Sequence, residues 1–221
     1  MEYIKDPIEQ TTAVTDLVLA AAALAGIFFL HLGQTSYHNY LKIIIWSAAV
    51  GLIGLGAALG AAAHGLVLTR SVHQRIWQIL NLTLALAVAL FVVGVVFDLW
   101  GVPAIRKALP AMLLLGLIFY AATLLFPGIF FVFIMYEALA LIFAFGAYVL
   151  LALRNELNGA GLIAAGILLS IIAAAIQAKK SISLKLIWQF NQNGIYHLVQ
   201  TVGLILLLIG LRCSVVGRIV D

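Results

Sequence analysis

The sequence predicts an all-α integral membrane bundle of seven transmembrane helices, and three observations carry that prediction. Of the 221 residues 65% are hydrophobic and 9% charged, whereas a soluble domain carries roughly a quarter charged residues, so the apolar surface is too large to hide from water. Apolar stretches of about 18 residues or more recur along the chain, each able to cross a hydrocarbon layer of roughly 30 Å at about 1.5 Å per residue. Lipid cannot satisfy open backbone groups, and the segments lack the alternation of a barrel strand, so helix is the state left to them.

Charges, glycines, prolines and asparagines place the breaks. Spans are predicted at residues 11–33, 40–69, 75–101, 104–126, 128–154, 158–178 and 189–211. Pro127-Gly128 is the turn signal that separates the fourth from the fifth, and residues 155–159 separate the fifth from the sixth. Residues 1–10 carry Glu2, Lys5, Asp6 and Glu9 and lack the basic start of a secretory signal peptide, so the first span is expected to be retained. No linker divides the chain and no repeat is visible, so residues 1–221 read as one domain. Trp46, Trp77, Trp100 and Trp188 fall near predicted helix ends, where an amphipathic ring suits the headgroup layer. Gly56 and Gly60 form a GxxxG pair, read as close packing within the bundle rather than a dimer face.

Charge and cysteine usage restrict the partners. A net charge of +4 with its basic residues between spans offers no nucleic-acid surface. Lys179, Lys180 and Lys185 alternate with Ile182, Leu184, Leu186 and Ile187, which reads as a segment lying on the membrane with lysines toward lipid phosphates. Membrane lipids are therefore the expected partners, with other membrane subunits a further expectation. The basic residues divide evenly between the two faces, so orientation is not predicted. A single cysteine, Cys213, excludes an internal disulfide and any multi-cysteine metal site.

Ionisable groups inside a span are costly and so mark functional candidates. Counted from the face of the N-terminus, Asp16, His64, Asn81, Glu137, Asn193 and His197 all fall in one leaflet. Thr12 and Asp16 share a helix face, as do Gln74, Gln78 and Asn81, and Asn193, His197, Gln200 and Thr201. A polar pocket of Asp16, Asn81, Glu137, Asn193, Tyr196 and Gln200 around His64 and His197 is the expectation. Asp98 and His31 belong to the opposite side and read as interfacial. For any one of these residues a buried hydrogen bond that sets helix register explains it as well as a ligand does. Two imidazoles and a carboxylate also make a catalytic zinc shell with an open position for water, whereas a haem held axially by the same two histidines has no other support in the sequence.

The stretches Gly60-Ala61-Ala62-Ala63-His64-Gly65 and Phe190-Asn191-Gln192-Asn193-Gly194-Ile195-Tyr196-His197, in the second and seventh spans, resemble the CREST superfamily of seven-helix membrane hydrolases and receptors. That group includes alkaline ceramidases and adiponectin-type receptors. Residues 9–16 resemble more closely a set of uncharacterised bacterial membrane proteins, which implies a bacterial inner (cytoplasmic) membrane. The resemblance implies a zinc held by His64 and His197. It also shows departures: Gly60 stands at the family's serine, Asn81 at its aspartate and Asn193 at the first histidine of its helix 7 pair. The loss of a nitrogen ligand, a base and a hydroxyl favours a non-catalytic role, in lipid binding or as a component of a membrane complex. The alternative is a zinc-dependent lipid amidase or hydrolase using His64 and His197. A transporter ranks third, because the polar residues do not line a path across.

Overall fold

A computed structural model describes residues 2–32, 37–126, 130–179, 181–185 and 187–216, with side chains at all of these except 37, 38 and 130–133. Helix α1 (Pro7–His31) begins four residues before the predicted span. Asp6 caps it, its carboxylate accepting from Ile8 N at 2.9 Å, and Pro7 sits in the first turn, where no backbone N–H is missed. Helix α2 (Tyr37–Gly65) stops four residues short of its predicted end. The chain around it explains why: Ile4 N donates to Gly65 O and Val67 N to Glu2 O, so the N-terminal residues pair with the exit of α2.

Six α-helices are present among the described residues, where seven are predicted. The difference lies in α3 (Arg70–Leu125), one helical element that contains both the 75–101 and the 104–126 predictions and is interrupted at Gly101, with φ 71° and ψ −165°. A Cβ on Gly116 would lie 3.0 Å from Ala85 O and 3.5 Å from Ala89 Cβ. In a straight helix residues 85 and 116 would stand about 46 Å apart, so the two arms of α3 fold back side by side at Gly101.

Helices α4 (Phe130–Leu153) and α5 (Ala160–Ala178) follow, and Gly159 starts α5 from a left-handed conformation. The predicted turn at Pro127-Gly128 lies outside the described residues. Between α5 and α6 (Gln192–Val216) the lysine-bearing segment is in part a two-stranded antiparallel hairpin, β1 (Ser183–Lys185) with β2 (Gln189–Asn191), Leu184 opposite Phe190. Lys180 and Leu186 lie outside the description.

Each helix packs on the next in sequence and α6 returns to α1, so the six elements close a ring. Small residues set its tightest contacts. Gly159 and Gly166 of α5 face Gly210 and Gly203 of α6 backbone to backbone, and in each helix the pair is seven residues, or two turns, apart. On α2, a Cβ added to Gly54 would lie 2.9 Å from Ala23 of α1, whereas one on Gly56 would lie 3.1 Å from Leu84 of α3. The interior is rich in alanine and threonine, and the outside carries large apolar side chains such as Phe28, Leu139, Ile142 and Ile118, exposed by 67%, 63%, 62% and 55%. All six helices are long and apolar enough to cross a membrane.

Candidate functional site

The polar groups of the ring meet near the start of α1. Helix α6 brings His197 against α1, where its two ring nitrogens meet different partners: Nδ1 lies 3.2 Å from Thr15 Oγ1 and Nε2 3.1 Å from Asp16 Oδ1. Thr15 spends its own hydrogen on Thr12 O at 2.8 Å, so Nδ1 must be the donor in the first contact. A lone pair on Nε2 cannot face a bare carboxylate oxygen at that distance, so one proton lies between Asp16 and His197, and the pair is neutral as a unit. Asp16 is 3% exposed and its second oxygen, Oδ2, has no hydrogen-bond partner among the described residues.

The position of α6 is secured from the hairpin. Asn191 Oδ1 accepts from Gly194 N at 2.9 Å and faces Thr12 Oγ1 at 3.1 Å, while Thr11 Oγ1 reaches Gln189 O at 2.8 Å. These bonds tie β2 and the first turn of α6 to the first turns of α1. On α2, His64 Nδ1 lies 2.6 Å from Glu9 Oε2, a short charge-assisted bond, and its ring stands edge-on to Trp77.

A cavity of about 420 Å³ runs down the ring from this polar end. Asp16, His64, Glu137, Asn193, Tyr196, His197 and Gln200 all line it, with Gln177 and Gln192. Toward the other end its wall is apolar, through Ile53, Val50, Leu84, Val88, Phe91 and Leu207, to Trp46. His64 and Trp46 stand about 27 Å apart along α2, so the space is long and narrow.

Three expectations need correction. Asn81 is not among the α3 residues that line the cavity, which are Trp77, Leu80, Leu84, Ala87, Val88 and Phe91, and Gln74 and Gln78 are exposed. Trp46 does not present its ring to the surroundings; it is 1% exposed, packed edge-on to Phe91 at 5.5 Å, with Gly94 of α3 leaving room for its ring. Trp77 lines the cavity, whereas Trp100 and Trp188 are exposed.

Asp98, expected to be interfacial, is enclosed within the bundle. Its carboxylate is buried, 2.6 Å from Lys42 Nζ and 2.6 Å from Tyr148 OH, and the same ammonium donates to Ser214 Oγ at 2.7 Å. This second polar cluster joins α2, α3, α4 and α6 at the opposite end of the ring. Reading the sequence missed it because Lys42 and Asp98 sit near helix ends, where exposure is the default.

Glu9 is the other residue the sequence reading passed over. With α1 starting at Pro7, Glu9, Thr12 and Asp16 fall on one face, a signal hidden when the helix is begun at Thr11. Gly60 acquires a reason as well. A Cβ there would lie 2.9 to 3.1 Å from the Asp16 carboxyl group, which fills the space beside that turn of α2.

These residues do not fit a zinc site. Glu9 on His64 has the form of a carboxylate orienting a metal-bound imidazole, but both nitrogens of His197 are already engaged. Among the described residues no group of three or more His, Cys, Asp or Glu side chains is arranged around a common point. Nor is Thr15–His197–Asp16 a nucleophile triad, because the Thr15 hydroxyl donates to its own helix and does not line the cavity.

No curated protein and no solved structure matches the chain. The profile of a family of unknown function (DUF6962) matches residues 11–214, a stretch that holds every cavity-lining residue named above, and the chain belongs to that family.

Proposed function

We propose that this is a multi-pass membrane protein, crossing the bilayer seven times with the two arms of α3 as separate spans, that binds an amphiphilic lipid-like molecule without transforming it. The carrying observation is the cavity, polar around Asp16, Glu137 and His197 and apolar for the rest of its length. Such a space suits a polar head and a single extended chain. The apolar outer surface supports the membrane setting, since exposed patches of that extent are costly in water. A CREST-like arrangement remains part of this proposal, supported by His64 and His197 on one cavity. Its hydrolase activity is disfavoured, because a water-activating metal would need the ring nitrogens that Thr15 and Asp16 occupy.

The test is occupancy. Purified protein reconstituted in lipid nanodiscs is titrated with single-chain amphiphiles brominated near the chain end, and tryptophan quenching is followed. Trp46 is out of reach of surrounding lipid, so saturable quenching that disappears in Trp46→Phe reports a molecule inside the cavity. Val88→Phe, which narrows the apolar channel, should abolish it. Quenching that rises linearly and is unchanged in both variants would sink the reading, as would turnover of a lipid amide that depends on added zinc.

A further inference from the structure

The lining of the cavity is asymmetric in charge. Two acidic side chains, Asp16 and Glu137, face it, and among the described residues no lysine or arginine does; Lys179, next to the lining residue Ala178, is exposed. The hydrogen-bonding capacity is also one-sided. Asp16 Oδ2 is a buried acceptor with nothing to accept from, and the Glu137 carboxyl group has no ion-pair or hydrogen-bond partner among the described residues. An unmet buried acceptor is a standing cost that a bound donor removes. Asp16 and His197 are neutral as a pair and do not offset Glu137, and His64, the other imidazole on the wall, is engaged by Glu9.

The geometry points to a long-chain amine as the ligand, its ammonium head between Glu137 and Asp16 Oδ2 and its alkyl chain running past Val88 and Phe91 toward Trp46. This rests on the reading of the cavity as an amphiphile site and names the head group it takes. An ammonium supplies three donors and a positive charge to a site with free acceptors and an acidic wall. A carboxylate or phosphate head would bring a second negative charge beside Glu137 with no lysine or arginine among the described lining residues to meet it. A hydroxyl head would satisfy one acceptor and leave the charge unpaired. Tyr196, which also lines the polar end, supplies a ring beside the same head position.

Three brominated amphiphiles of equal chain length, an amine, a carboxylate and an alcohol, separate these outcomes in the nanodisc titration. The amine is expected to half-saturate the Trp46 signal at a concentration about tenfold or more below either of the others. Glu137→Gln keeps the shape and removes the charge, so it should erase the preference while the alcohol still binds, which also shows that the variant is folded. Asp16→Asn should weaken the amine in the same direction. A carboxylate or alcohol that binds as tightly as the amine overturns the head-group assignment and leaves the amphiphile reading standing. So does a preference for the amine that survives both variants. Failure of all three compounds to reach Trp46 overturns the amphiphile reading itself.

Discussion

At the scale of single residues the site is organised by what a side chain leaves room for. Gly60 has no side chain, and the carboxyl group of Asp16 lies only 2.9 to 3.1 Å from where its Cβ would be. That contact couples a glycine of α2 to the proton shared with His197. Gly60→Ala is expected to destabilise the protein by about 1–3 kcal/mol, the usual cost of forcing extra volume into a packed site. Equilibrium unfolding in mixed detergent measures it, and the loss should shrink when Asp16 is already alanine. Equal losses in both backgrounds would show that the carboxyl group is not what limits position 60. Trp46 teaches the same lesson: a ring usually placed at a headgroup layer is buried here because Gly94 opens a bed for it.

Helix starts and breaks decide which side chains meet. Moving the start of α1 from Thr11 to Pro7 turns Glu9 from a loop charge into the partner of His64. The break in α3 depends on one backbone conformation. At φ 71° and ψ −165° Gly101 occupies a region essentially closed to other residues, and its missing Cβ would touch nothing closer than Pro103 Cδ at 3.9 Å. Gly101→Ala should therefore cost about 1–3 kcal/mol through backbone strain alone, without a steric clash. Gly161, helical and with open space where its Cβ would be, is the control: alanine there should be neutral or slightly stabilising. Similar unfolding curves for the two variants would mean that the turn of α3 tolerates another conformation. At the α5–α6 contact the glycines act differently, by letting backbones touch, and there any side chain meets a carbonyl.

Across the whole molecule the ring has two polar ends and an apolar middle. Glu9, Asp16, His64 and His197 gather at one, while Lys42, Asp98, Tyr148 and Ser214 gather at the other. Breaking a buried ion pair leaves an uncompensated charge, so the second cluster fixes the mutual register of four helices whatever its other uses. The ends of the described chain follow the same division. Tyr3 pairs with Leu66 at the exit of α2, and Val215 O accepts from Asn39 near its entry, at 3.0 Å. In a membrane they should emerge on opposite faces. Impermeant thiol reagents applied to sealed vesicles should label Glu2→Cys, in a Cys213→Ser background, and the native Cys213 from different sides. Labelling of both from one side would remove the seven-crossing arrangement.

Composition and run length were enough to determine an all-helical chain with apolar segments of membrane-spanning length, because hydropathy and backbone satisfaction are local properties. Rise per residue converts sequence position into an expected height, and of the residues expected in one leaflet Asp16, His64, Glu137, Asn193 and His197 line one cavity. Which of those groups touch was decided by helix rotation and by glycine contacts, and neither is written in periodicity when every face of a helix is apolar. Asn81, expected in the same leaflet, is not among the residues that line the cavity. Pairing was likewise a tertiary matter. Lys42 and Asp98 are 56 positions apart and unremarkable singly, and only the ring of helices brings them to 2.6 Å, where burial makes each the other's required partner.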